Sequence, residues 1–196
     1  MKRILCIGDS NTYGFDPRSY LGSRYPEDVR WTGRIAAAGF EAVNGGVNGR
    51  AFPRGGELPV LSAWLASKLP ADAVLILLGT NDLLLGRTAE ETGRRASAML
   101  ETVCAQLSGG TVLLIAPPRL VAGEWVNDPR LISESALLSA ELRRAAEQNG
   151  VCFADAGCWG IQLVFDGVHF SPEGHACFAE CLLKELEKMS GKTAEE

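Results

Sequence analysis

The chain has 196 residues, 19 Lys and Arg against 24 Asp and Glu, a formal net charge of −5, six cysteines and two histidines. Hydrophobic residues at 46% and charged residues at 22% are the proportions of an ordinary globular chain and exclude a disordered segment or a coiled coil. An acidic balance without basic runs gives no footprint for nucleic acid or an anionic membrane, and any imidazole chemistry falls to His169 or His175.

Met1-Lys2-Arg3 leads into the apolar run Ile4–Ile7, which Gly8-Asp9 ends. That run is a short buried strand, below the ~7–15 apolar residues of a secretory signal. Further strands are expected at Ala42–Asn44, Ala73–Leu78, Val112–Ala116 and Val151–Ala154, each short, aliphatic and bounded by Gly, Pro or polar residues. Helical periodicity marks Trp31–Ala38, Pro59–Leu69, Ala89–Leu107, Glu134–Gln148 and Pro172–Met189. Asn149-Gly150 is a helix stop, and Ser171-Pro172-Glu173 combines an N-cap with Pro at the first helical position. No run approaches the ~20 apolar residues of a membrane span, so the expected location is cytoplasmic, where thiols stay reduced.

Two connections are longer than connection requires. Residues 13–30 carry Tyr13, Phe15, Tyr20 and Tyr25, and residues 117–133 carry Pro117-Pro118, Trp125 and Pro129. Structureless loops beyond ~12–15 residues are usually functional or disordered, and aromatic content disfavours disorder.

Strands apolar along their whole length, alternating with helices, imply a parallel sheet covered on both faces. The expected fold is α/β, a three-layer α/β/α sandwich with a five-stranded parallel sheet. It forms one domain over residues 1–189, with a frayed tail over 190–196. Ligands of such sheets bind beyond the carboxyl ends of the strands, which directs attention to four segments.

Gly8-Asp9-Ser10-Asn11 follows the first strand and places a serine where an α/β enzyme places a nucleophile. The GxSxG signature is absent, because Ser10 is followed by Asn11-Thr12. Asn44-Gly45-Gly46-Val47-Asn48-Gly49 follows the second strand and can leave amide N–H groups open to a ligand. It lacks both Gly-Lys-Ser/Thr and GxGxxG spacing, so it is not a phosphate loop. Gly79-Thr80-Asn81-Asp82 follows the third strand, and a side-chain amide there can donate to a developing oxyanion. Finally, Asp166 stands three residues before His169 and can reach its imidazole across one turn, fixing the tautomer and stabilising the imidazolium. His175, inside the last helix, reads as packing. The cysteines contain no CxxC pair and read as small, reduced, buried residues.

With these four blocks in this order, the sequence resembles the SGNH (GDSL-type) hydrolases over nearly its whole length. The resemblance implies a flavodoxin-like sheet, a serine esterase activity and no cofactor or metal. It implies Ser10 as nucleophile, His169 as general base and Asp166 as third triad member. The oxyanion hole would be formed by the Ser10 amide, the Asn81 side chain and a glycine amide. Gly49, next to Arg50, is the favoured glycine, with Gly46 as turn support. The string Asp28-Val29-Arg30-Trp31-Thr32-Gly33 is similar to the arylesterase and acyltransferase subgroup, which implies a homo-oligomer with Arg30 and Trp31 near a subunit contact.

The expected substrate is a small-molecule ester with a short acyl group, with acyl transfer to alcohols as a further activity. Asp9, Asn11, Phe15, Leu84 and Trp125 are the expected substrate-binding side chains. Carbohydrate O-acetylesterase, lysophospholipase and thioesterase activities are the alternatives. A non-catalytic ligand-binding module is the alternative outside enzymes, disfavoured by the Asp166–His169 pair.

Overall fold

Alternating apolar side chains along the strands divide the core into two layers. The computed structural model describes residues 2–19 and 21–192, without the side chains of 190–192. In chain order the elements are β1 (Arg3–Gly8), α1 (Ser10–Tyr13), α2 (Trp31–Ala37), β2 (Glu41–Gly46), α3 (Leu58–Ala66), β3 (Ala73–Leu77), α4 (Thr80–Leu84), α5 (Ala89–Cys104), β4 (Thr111–Ala116), α6 (Pro129–Gln148), β5 (Cys152–Asp155) and α7 (Pro172–Lys192). Leu5 and Ile7 of β1, Val74 and Ile76 of β3, and Val112 and Leu114 of β4 join Leu65 of α3, Met99 and Val103 of α5, and Leu138 and Leu142 of α6. The intervening residues Ile4, Cys6, Leu75, Leu77, Leu113 and Ile115 pack on the opposite face against Trp31 and Ile35 of α2 and Phe178 and Leu182 of α7. Period two along each strand and spacings of three and four along each helix are what this division requires. Each fully buried large side chain contributes roughly 1.5–3 kcal/mol. The three-layer α/β/α expectation holds.

All strands are parallel, in the order β2-β1-β3-β4-β5. Gly8 at the end of β1 is level with Gly46 on one side and Leu77 on the other. The loops after these three strands therefore start at one height. From β1 the chain leads outward to β2, and from β3 it leads the other way to β4. The crevice between β1 and β3 is thus the topological switch point, where open α/β sheets bind ligands.

The second long loop is shorter than expected, because α6 starts at Pro129. Asp128 caps it by accepting the Arg130 N–H at 2.8 Å, with Pro at the start. The helices α1 and α4 are single turns too short to show a hydrophobic period. The last helix runs to Lys192, three residues into the expected tail. Residues 193–196 of that tail, and Tyr20 of the first long loop, lie outside the described residues. Cys6 is buried as expected, but Cys104, Cys152 and Cys158 are exposed and Cys177 and Cys181 half-buried. A small, weakly polar side chain is tolerated on either side of the surface.

Candidate active site

The turn after β1 places Ser10. Asp9 caps α1 by accepting the Asn11 N–H at 2.9 Å, and Gly14 in the left-handed region closes the turn by donating to the Ser10 carbonyl at 2.8 Å. From this turn the Ser10 hydroxyl lies 2.9 Å from His169 Nε2.

The segment ahead of α7 places the imidazole. Asp166 Oδ1 accepts the N–H groups of Val168 and His169, each at 2.9 Å, which bends the chain so that Oδ2 lies 2.7 Å from His169 Nδ1. With Nδ1–H donating to the carboxylate, Nε2 is left to accept the Ser10 O–H. Burial pushes the Asp166 carboxyl up, but the imidazole and the two backbone N–H groups outweigh it and hold the acid below its ordinary range. Ser10, His169 and Asp166 are all buried, so this line of hydrogen bonds is little weakened by solvent.

Two aromatic rings flank the imidazole. Phe15 lies 4.9 Å from it, centroid to centroid, and tilted; Trp125 lies at the same distance, edge-on. The Trp125 N–H donates to the Asp166 carbonyl at 3.1 Å, which ties its loop to the acid's own backbone. Trp125 is 50% exposed, so it covers the base and also faces solvent. Both long loops therefore deliver an aromatic ring to His169.

Asn81 is the second residue of α4. Its amide donates to the Arg50 carbonyl at 3.1 Å and, more weakly, to Asp9 Oδ2 at 3.4 Å. The two candidate glycines differ sharply. The Gly46 N–H is occupied by Asn44 Oδ1 at 2.9 Å, and a Cβ there would lie 2.1 Å from the Tyr13 nitrogen. Gly46 is small because α1 packs on it. Gly49 is exposed, takes φ +73°, and has open space around it, so its requirement is conformational.

Asp82 is a supporting residue that the sequence reading passes over, though it is adjacent to Asn81. Fully buried, it accepts the Phe52 N–H at 2.9 Å and pairs with Arg87 at 2.9 Å. Burial pushes its carboxyl up, partly offset by those two partners. The bond to Phe52 fastens α4 to the loop bearing Arg50, and the pair with Arg87 ties α4 to the segment that follows it. Removing one partner of such a buried pair typically costs about 3–5 kcal/mol. The available signal was an acid five residues beyond the end of β3 with an arginine five residues further on.

Three expected substrate-binding side chains are turned into or packed against the protein. Asp9 is 2% exposed and Asn11 4% exposed, and both are engaged within the protein. Asp9 is the cap of α1, and on a helix successive side chains diverge by about 100°, so Asn11 does not follow Ser10 toward the imidazole. Burial pushes the Asp9 carboxyl up to about 6, against the lowering effects of the Asn11 N–H, His169 and Arg50. Leu84 is half-buried against the core layer of α5 and α6. Trp31 is also internal: it is buried and its Nε1–H donates to the Asn11 carbonyl at 3.0 Å.

His175 is packing, as expected. It is fully buried against the Tyr25 and Phe170 rings, its Nδ1 accepts the Trp31 N–H at 3.4 Å, and burial pushes its pKa down to about 3. Among the described residues no cluster of three or more His, Cys, Asp or Glu side chains could hold a metal ion. Nor is any described helix long and apolar enough to cross a membrane.

The profile of the GDSL-like lipase/acylhydrolase family matches residues 6–177. No curated protein sequence matches. Among solved structures, a carbohydrate acetylesterase from Sinorhizobium meliloti, Est24, is 29% identical, with a TM-score of 0.81 over 96% of this chain and 100% of its own. The native aryl esterase of M. smegmatis is 27% identical, with a TM-score of 0.80 over 96% of this chain and 99% of its own.

Proposed function

Since the chain belongs to the GDSL-like lipase/acylhydrolase family and is a carboxylic ester hydrolase, we propose that it cleaves short-chain esters through a Ser10–His169–Asp166 triad. The observation that carries this reading is the buried line of two hydrogen bonds, 2.9 Å from Ser10 to His169 and 2.7 Å from His169 to Asp166.

Ser10 Oγ attacks the ester carbonyl while its proton passes to His169 Nε2. The Asp166 carboxylate stabilises the resulting imidazolium. The carbonyl oxygen, now negative, is held by the Ser10 and Gly49 N–H groups and the Asn81 amide. The weak 3.4 Å contact from Asn81 to Asp9 is the bond an oxyanion would displace, while the bond to Arg50 keeps the amide aimed. Collapse of the tetrahedral intermediate breaks the ester C–O bond, and the Nε2 proton leaves with the alcohol. Water, deprotonated by the same imidazole, then attacks the acyl-enzyme, releases the acid and restores Ser10.

The substrate reading is a short acyl group on an aryl or alkyl alcohol. It is supported by likeness to the M. smegmatis aryl esterase and by Phe15 and Trp125 beside the base, where the exposed Trp125 ring can stack on an apolar leaving group. Likeness to Est24, a carbohydrate acetylesterase, favours acetylated sugars as a second reading, since a half-exposed Trp also stacks on a pyranose face. The aromatic cover also supports acyl transfer, because it limits water at the acyl-enzyme. Six free cysteines support a reducing, cytoplasmic setting. A matched panel of phenyl acetate, butyrate and octanoate with an acetylated xyloside tests the substrate reading. The expected order is a kcat/KM that falls with acyl length and is highest for the phenyl ester. A preference for octanoate would contradict it, and a preference for the sugar acetate would select the second reading.

A further inference from the structure

We propose that Asn11 is a positioning residue, a side chain that refers the backbone of His169 to the turn that carries Ser10. This inference rests on the triad reading of Ser10, His169 and Asp166.

The two groups that must meet at 2.9 Å are 159 residues apart in the chain. Their meeting depends on how the segment ahead of α7 is seated on α1. The Asn11 Nδ2 donates to the Val168 carbonyl at 3.2 Å, and its Oδ1 accepts the Phe170 N–H at 2.9 Å. One primary amide, with a donor and an acceptor side by side, thus holds both backbone groups that flank His169 in this bend.

The other side of the same residue is taken as well. The His169 N–H donates to Asp166 Oδ1 at 2.9 Å, and the His169 carbonyl accepts the Val164 N–H at 2.8 Å. The four backbone groups that set the position of His169 are thus all occupied, two of them by Asn11. Asn11 itself has no freedom: its N–H is held by Asp9 Oδ1 at 2.9 Å, and its carbonyl accepts Trp31 Nε1–H at 3.0 Å. Being adjacent to Ser10 on the same turn, it transmits the place of α1 directly to the imidazole. Leu, Ser or an ionised Asp at this position could not supply both bonds: Leu offers neither, Ser is too short to span the two, and a carboxylate has no donor for the Val168 carbonyl.

The test compares Asn11→Leu and Asn11→Asp with wild type on phenyl acetate, with Ser10→Ala as the reference for the triad. Misplacing a catalytic group by about 1 Å costs on the order of 100-fold. The expectation is a kcat about 100-fold lower for Asn11→Leu, with KM changed by less than about threefold. The downfield proton resonance of the His169–Asp166 hydrogen bond should broaden or move. A control at a distance, Leu182→Ala on α7, should lower Tm without that kcat loss or that change in the resonance, which separates positioning from stability. Should Asn11→Leu fail to fold, Asn11→Asp is read by the same measurements, because it keeps the acceptor for Phe170. An Asn11 variant that folds and retains kcat within about threefold, in a series where Ser10→Ala is inactive, overturns this inference. An active Ser10→Ala enzyme overturns the triad reading beneath it.

Discussion

Replacing Asp166 by Asn separates the chemistry of the acid from its structural work. Asp166 does two things at once: Oδ1 accepts two backbone N–H groups at 2.9 Å, and Oδ2 accepts the imidazole Nδ1–H at 2.7 Å. Asn keeps the shape and the Oδ1 acceptor, so the turn should survive. It presents an N–H to Nδ1, which forces the other tautomer and puts the proton on Nε2, facing Ser10. The base is then blocked, a change worth about 10⁴ in kcat in triad enzymes, or roughly 5.5 kcal/mol of barrier. Asp166→Ala removes the turn as well, leaving two buried N–H groups unpaired at about 1–3 kcal/mol each. Steady-state hydrolysis of phenyl acetate and urea denaturation of both variants read the two effects separately. The expected pattern is similar inactivity, with stability near wild type for Asn and several kcal/mol lower for Ala. Asp166→Asn with kcat within tenfold of wild type would refute the assignment of the acid, and equal destabilisation by the two substitutions would refute the account of the turn.

Asn81→Ala should lower kcat by ~10²–10³ while remaining folded, as removal of one oxyanion donor does; unchanged turnover would remove Asn81 from the site. Asp9 makes stability pH-dependent with a definite sign. Its carboxyl is raised from 3.8 to about 6 by burial, so the folded state binds the proton more tightly than the unfolded one. That contribution is fully present below pH 3.8 and is lost as pH rises through about 6, a total of about 3 kcal/mol. Stability curves of wild type and Asp9→Asn should therefore diverge by about this amount between those pH values, with wild type losing ground as pH rises. Parallel curves would show that the buried carboxyl is not desolvated as its surroundings require.

The strands were legible because each is a short aliphatic run with a marked end; polar residues just beyond two of those ends gave Ser10 and Asn81, and the three-residue spacing of an Asp and a His ahead of the last helix gave Asp166 and His169. The start of α6 was also written in the chain, in Asp128-Pro129, but the hydrophobic period becomes regular only five residues later. The single turns α1 and α4 have no periodic signal, being fixed by what they pack on, as at Gly46. Side-chain direction was the main loss. Adjacency to Ser10 made Asp9 and Asn11 look like substrate contacts, whereas the turn that presents Ser10 to the imidazole aims its neighbours into the protein. Phe15 and Trp125 were placed by loop composition alone, and their approach to His169 depends on how both loops fold back, which no local pattern encodes.

The central claim is that Ser10 is the nucleophile, and a fluorophosphonate probe reads it most directly. Incubation followed by peptide mapping should place one phosphonyl group on Ser10 of the wild-type enzyme and none on Ser10→Ala. Hydrolysis should be lost in proportion to labelling. A covalent adduct formed by Ser10→Ala, or full activity in enzyme labelled at Ser10, would contradict the account.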